Sequence, residues 1–217
     1  MKIAILLCGH IRSWNKEQFI QTFQNVDIFV HTYNNVFGYH PFIQNQTGIS
    51  NNNIKLTNTE IESYIGITTK NIVIEDQDDI FINDTNTPIH ADTYAQYRKF
   101  KLCNELRTQY ESIHNIKYDL VIKTRFDISY SLNIQQIIQL ATNPNIIYIS
   151  EGPSIYPCDQ IFISSGNSIS FLADILTSTY YHQGQKFSPH EWLNKQSCNI
   201  IKPMSGLITN IIRITNI

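Results

Sequence analysis

The chain has 217 residues, with 16 lysines and arginines against 18 aspartates and glutamates, a formal net charge of -2 and only 16% charged residues. So weak a field excludes a protein that gathers nucleic acid or an anionic membrane by electrostatics. Hydrophobic residues at 42% and aromatics at 12% suffice for one well-buried domain, so the many Asn and Gln do not signal disorder.

Residues 2–7, Lys-Ile-Ala-Ile-Leu-Leu, form a continuous branched run closed by Cys8-Gly9-His10, the pattern of a strand buried on both faces. The run is too short for the apolar region of a signal peptide. Trp14, Phe19, Ile20 and Phe23 have helical spacing and predict a helix over 14–23. A second strand over 26–32 completes a βαβ unit. Residues 33–58 lose periodicity and read as a long surface loop. Its aromatic residues Tyr33, Phe37, Tyr39, His40 and Phe42 suit stacking on sugars.

A short helix over 59–65 precedes a third strand over 71–75, which ends in the acidic string Asp76-Gln77-Asp78-Asp79. One long helix is predicted over 91–114. Tyr94, Tyr97, Leu102, Leu106 and Tyr110 form its apolar stripe, with Gln96, Lys99, Asn104 and Arg107 at polar positions. A strand over 117–123 runs directly into Thr124-Arg125-Phe126-Asp127. A helix over 134–140, a strand over 146–150, a loop with Pro153 and Pro157, an apolar segment over 159–164 and helices over 168–180 and 189–195 follow. This alternation predicts a mostly parallel α/β sheet with helices on both faces, in one domain over residues 1–217.

No stretch reaches the roughly 18 apolar residues of a membrane span. Cys8, Cys103, Cys158 and Cys198 lack the paired spacing of zinc or redox sites and read as buried thiols of a reducing compartment. The expected location is therefore cytoplasmic, compatible with peripheral association with a membrane.

Ligands of open α/β sheets bind beyond the carboxyl ends of the strands. This rule gathers residues 8–12, 32–35, 76–79 and 125–127 into one neighbourhood. Gly9 admits close approach of a ligand to the backbone, and the planar fork of Arg12 suits phosphate or carboxylate. In Lys123, Arg125 and Asp127 a buried strand is followed by cation, cation and anion. Asp127 suits a hard divalent cation bound to a diphosphate, and Arg125 suits the charge of a departing phosphate. The alternative is a structural Arg125–Asp127 ion pair. Phosphate-cradling Gly-x-x-x-x-Gly-Lys-Ser/Thr, dinucleotide Gly-x-Gly-x-x-Gly and nucleophile-elbow Gly-x-Ser-x-Gly patterns are all missing from the sequence.

The opening Ile-Leu-Leu-Cys-Gly-His-Ile-Arg, then Asp27-Ile-Phe-Val-His-Thr-Tyr, Gln96-Tyr-Arg-Lys with Tyr110-Glu111, and Tyr118-Asp-Leu-Val-Ile-Lys-Thr-Arg-Phe-Asp127 form an ordered set. It resembles the motifs of WavE-type lipopolysaccharide glycosyltransferases and of similar single-domain glycosyltransferases in large DNA viruses. The resemblance covers about the first 130 residues. It implies a GT-A-like, Rossmann-like fold, with residues 1–130 as the nucleotide-sugar-binding half and 131–217 as the acceptor and catalytic half. The implied reaction moves a sugar from a nucleoside diphosphate donor, such as a UDP-sugar, to a hydroxyl of a glycan or glycoconjugate with Mn²⁺ or Mg²⁺. The host cytoplasm is the implied location for a viral member.

On matching positions, Cys8, Gly9, His10 and Arg12 would line the nucleotide pocket, with Thr32 and Tyr33 near base or ribose. Gln96 and Lys99 would approach the donor from the long helix. Asp127 would be the metal ligand equivalent to the last acid of Asp-x-Asp, with Arg125 where the first acid usually stands. The literal Asp76-Gln77-Asp78 ranks second for that role. Asp159, in Pro157-Cys158-Asp159-Gln160, is the first choice of catalytic base and Glu191 the second, although Ser188-Pro189-His190-Glu191 also fits an ordinary helix start. The competing reading is a catalytically weak or inactive carbohydrate- or nucleotide-binding module of the same fold.

Overall fold

The computed structural model describes residues 1–11, 13–36, 54–76, 91–150, 158–182, 193, 200–204 and 208–211, with backbone alone at 35–36, 54, 91–95, 158–159, 178–182, 203 and 208–211. Strand β1 (Ile3–Cys8) is buried at every position, as its unbroken apolar run requires. Helix α1 (Lys16–Thr22) starts where the Asn15 side chain accepts from the Gln18 amide, and strand β2 (Asp27–Tyr33) follows. Trp14 lies outside that helix, contrary to the expected span. Its indole N–H donates to the Ile65 carbonyl at 3.0 Å, and its ring packs against Phe19 and Phe126.

Short strands β3 (Asn35–Val36) and β4 (Ile54–Lys55) pair antiparallel, so the expected loop over 33–58 contains a hairpin edge; residues 37–53 lie outside the described residues. Helix α2 (Asn58–Ile65) opens with a reciprocal capping box between Thr57 and Glu60 and closes on Gly66 at φ 59°. The left-handed conformation at this position is what asks for glycine. Strand β5 (Asn71–Glu75), helix α3 (Ala91–His114), strand β6 (Leu120–Thr124) and strand β7 (Ile128–Tyr130) come next. Helix α4 (Ile134–Leu140), strands β8 (Ile147–Ser150) and β9 (Cys158–Ser164), helix α5 (Gly166–His182) and strands β10 (Ile201–Met204) and β11 (Ile208–Ile211) complete the order. The helix expected over 189–195 lies outside the described residues except for Leu193, which is buried.

Seven strands form one sheet in the order β10-β8-β9-β6-β1-β2-β5, and β7 pairs separately with β11. β1 is parallel to β2 and β6, β2 to β5, and β8 to β10, whereas β9 runs antiparallel to both β6 and β8. Six strands therefore point one way and β9 alone returns. Alternate residues of each strand feed two cores. Ile5, Leu7, Val30 and Ile122 meet Phe19, Ile61 and Ile137 of α1, α2 and α4 on one face. Ala4, Leu6, Phe29, Val121 and Phe162 meet Tyr97, Phe100, Ile169 and Leu172 of α3 and α5 on the other. The molecule is thus the expected mostly parallel α/β sheet with helices on both faces.

The face of α3 differs from its expected stripe. Tyr97, Phe100 and Cys103 are buried, but so are Lys99, Asn104, Arg107 and Glu111. The polar positions turn inward because they satisfy one another. The Arg107 Nε and Nη2 donate to Asn104 Oδ1 at 3.0 and 2.8 Å, Nη2 also donates to Ser170 Oγ at 2.9 Å, and Nη1 pairs with Glu111 at 2.9 Å. Glu111 in turn accepts the Tyr118 amide at 2.9 Å. A Cβ at Gly166 would come within 2.8 Å of Arg107 Nη1, so the first residue of α5 must lack a side chain for the guanidinium to fit.

Truncation should cost according to this burial. Phe162→Ala empties a fully buried position and is expected to lower the free energy of unfolding in urea by about 3–5 kcal/mol. Ile113→Ala, at a position 77% exposed, should stay within about 0.5 kcal/mol.

Candidate functional site

Because β1, β2, β5 and β6 are parallel and in register, Cys8 stands beside His31, Tyr33 beside Glu75, and Leu7 beside Thr124. The described parts of the four segments nominated by the sequence therefore share the carboxyl rim of the sheet. The reversed β9 begins at this rim too, with Cys158 beside Ser150 and Phe162 beside Lys123. The backbone of Asp159 thus enters next to the end of β6, although 34 positions separate it from Arg125 in sequence.

At the centre, Gly9 adopts φ +117°, and a Cβ built there would meet no atom of the described residues within 4 Å. The conformation favours glycine. Its carbonyl accepts the Thr32 hydroxyl at 2.8 Å, and its amide donates to His31 O at 3.2 Å. Cys8 is buried under the rim with Sγ 3.8 Å from the Thr124 carbonyl. Burial pushes its thiol up, against the opposing pull of Lys123, Arg125 and Lys99.

Lys99 reaches this point from α3 with no exposed surface. Its ammonium donates to Glu75 Oε2 at 3.0 Å, to the Thr32 carbonyl at 3.3 Å and to His31 Nδ1 at 3.3 Å. It also lies 3.3 Å from the centroid of the Tyr33 ring, a cation–π contact. The His10 and Tyr33 rings meet at a tilt of 40°, with centroids 4.6 Å apart. Glu75 is shared with Arg98, whose two terminal nitrogens reach its oxygens at 2.6 and 3.0 Å. Burial alone would raise the Glu75 carboxyl, but Arg98 and Lys99 overcome it and hold the group at about 2. Burial lowers Lys99 to about 8, with Glu75 opposing the shift.

The segment after β6 is shaped by Phe126, which is buried against Trp14, and by the Tyr130 hydroxyl, 2.7 Å from Thr124 Oγ1. With Phe126 anchored inward, its neighbours pair at the rim. Arg125 Nε donates to Asp127 Oδ1 at 2.8 Å and Nη2 to Oδ2 at 2.6 Å. The carboxylate side chain is 3% exposed and the arginine 18%. Both Asp127 oxygens are thus engaged, and the arginine is the more exposed member of the pair. Among the described residues no three His, Cys, Asp or Glu side chains are grouped to hold a metal ion. As folded, these side chains do not fit a resident divalent cation at Asp127.

The remaining nominated positions divide by location. Gln96 is half-buried on α3 one turn before Lys99. Asp76, first acid of the literal Asp-x-Asp, pairs with Lys55 at 2.5 Å. Arg12, Asp78 and Glu191 lie outside the described residues, as does the side chain of Asp159. Reading the sequence missed Glu75, Arg98 and His31. Strand β5 ends in Glu75 beside a conspicuous acid string, and no spacing rule links it to a helix more than twenty positions later.

Two cavities of about 470 and 150 Å³ are lined by described residues, and both lie at the opposite rim, around Asp27 and Tyr110 and around Asp119 and Tyr148. No helix among the described residues is long and apolar enough to cross a membrane.

No protein-family model matches the chain, and no curated protein is significantly similar to it. Two crystal structures of the glycosyltransferase GlyE from Streptococcus pneumoniae TIGR4, one in the apo form, align over 94% of this chain at 10% identity, with TM-scores of 0.45 and 0.44. The chain spans 46% and 45% of their length, about half. A likeness of that strength carries no argument about activity.

The buried network implies an acid-sensitive fold. Burial first, and Lys99 second, lower His31 from 6.5 to about 3, so the unfolded chain takes up a proton across that interval that the folded chain refuses. Stability must fall as pH drops from 6.5 towards 3, and Glu75, depressed from 4.5 to about 2, extends the loss at lower pH. Melting temperatures of wild type and His31→Gln between pH 7 and 4.5 should show a shallower decline in the variant; parallel curves would rule His31 out as the source.

Proposed function

We propose that the chain is a glycosyltransferase of the nucleotide-sugar type, moving a sugar from a nucleoside diphosphate donor to a hydroxyl of a glycan or glycoconjugate. One observation carries this reading: the ends of β1, β2, β5 and β6 and the start of the reversed β9 meet at one rim. They bring together the segments that the sequence resemblance marks for donor binding and for base catalysis. Ligand sites at this edge follow from the general architecture of open α/β sheets.

In this reading the donor lies across Gly9, where the backbone permits close approach. Thr32 and Tyr33, both buried, underlie the nucleoside end, with Lys99 of α3 against the Tyr33 ring. His10 and Arg12, continuing from Gly9, flank the diphosphate. Arg125 faces the phosphates and offsets charge on the leaving nucleoside diphosphate, stabilisation that matters most as that charge develops. Gln96 contributes a neutral donor and acceptor from α3. Asp159 takes the proton from the acceptor hydroxyl as the new glycosidic bond forms, with Glu191 as the second carboxylate considered for that step.

Incubation with a panel of nucleotide sugars and simple glycosides should release nucleoside diphosphate. Asp159→Asn is expected to reduce the release rate by about 10²-fold or more while leaving the melting temperature shift caused by the nucleoside diphosphate intact. A ligand-induced shift with no release from any donor would favour the binding-module reading. No shift with any nucleoside diphosphate would remove the donor site altogether.

A further inference from the structure

At the opposite rim, where the parallel strands begin, a cavity of about 470 Å³ lies between the start of β2 and the end of α3. Its size falls within the roughly 300–1,000 Å³ of small-molecule sites. Strand β2 spans seven residues, about 20 Å of extended chain, so the cavity is well removed from the carboxyl rim. Asn25, Asp27, Tyr110, His114 and Ile116 line it, with Lys2 from the segment entering β1. The lining thus combines two rings, an amide and a carboxylate.

Neighbouring side chains hold these groups in place. Tyr118 donates its hydroxyl to Asp27 Oδ2 at 2.7 Å, and Lys70 reaches Oδ1 at 3.2 Å. Each oxygen retains a further lone pair for a donor, and the carboxylate is 31% exposed. Because Lys70 offsets its charge, Asp27 offers acceptor capacity more than a field. The rings of Tyr110 and His114 pack with centroids 4.1 Å apart, and Phe29 braces Tyr110 edge-on at 5.6 Å. His114 is exposed in the last turn of α3, and Asn25 is exposed with φ 57°. A ligand that suits this lining has hydroxyl donors along its edge for Asp27 and Asn25, and an apolar C–H face for rings whose π surface is negative. Pyranose sugars have both. A multiply charged anion would meet the Asp27 carboxylate and the negative end of the α3 dipole.

We propose that this cavity binds a neutral saccharide unit of a glycan, packed on the Tyr110–His114 pair, with its hydroxyls donating to Asp27 and bonded to the Asn25 amide. The site is separate from the donor and base residues of the transferase reading and stands without it. Together with an acceptor held at the carboxyl rim, it would give a long glycan two points of attachment.

NMR titration of the full chain with the methyl glycosides of glucose, galactose, mannose and N-acetylglucosamine, with lactose, and with inorganic phosphate tests this assignment. At least one sugar should bind with a Kd of about 1 mM or tighter. His114→Ala and Asn25→Gly should each weaken it about three- to tenfold. Both positions are exposed and glycine suits the positive φ of Asn25, so melting temperatures should not change. Asp159→Asn should leave the sugar Kd as it is. Binding that is lost in Asp159→Asn, or that is unchanged in both His114→Ala and Asn25→Gly, places the sugar elsewhere and overturns the proposal. Failure of every sugar to bind, or binding of phosphate alone, overturns it too. None of these outcomes bears on release of nucleoside diphosphate, which tests the transferase reading by itself.

Discussion

Several cationic groups converge at one end of a sheet whose interior is apolar, and each must be compensated where water is scarce. Removing one partner from a buried ion pair costs about 3–5 kcal/mol, because the other charge is left stranded. The rim answers this constraint twice. Glu75 accepts from both Lys99 and Arg98, and Asp127 takes the Arg125 guanidinium in a two-point grip. Residues that look like ligand-binding candidates are thereby also structural. Lys99 joins α3 to the ends of β2 and β5, so the second face of the sheet and the candidate site share one set of contacts.

The reversed strand β9 has an equally direct consequence. A parallel strand beside β6 would begin at the far rim and carry Asp159 away from Arg125. Running antiparallel, it enters at the carboxyl rim, and its first residues pair with the end of β8. The second half of the chain is thus joined to the first at the place where four parallel strands end. Flanking this, the Arg107 network ties α3 to α5 through Asn104 and Ser170. The two long helices on that face consequently meet through polar side chains as well as through Phe100 and Leu172.

Charge direction links these features to chemistry. Glu75 and Asp127 are engaged with cations in the folded chain, and the more exposed member of the pair after β6 is the arginine. The Arg125 guanidinium is therefore held in one orientation by both oxygens of Asp127.

Much of this architecture could be read from residue order alone. The apolar run of β1, the helical spacing of α1 and the long span of α3 declare themselves because strand and helix periods are local properties of the chain. The grouping of residues 8–12, 32–35 and 125–127 at one rim follows from parallel alternation and needs no knowledge of contacts. The inward turn of Lys99, Asn104 and Arg107 was not legible, since a polar residue on a helix is buried only when a partner elsewhere in the chain satisfies it. For Lys99 that partner is Glu75 on β5, and for Arg107 it includes Ser170 on α5. The direction of β9 and the grip of Arg125 on Asp127 likewise emerged only in three dimensions. Strand direction depends on where the chain returns, and an Arg-x-Asp spacing is equally compatible with an open carboxylate until Phe126 is anchored between its neighbours in the core.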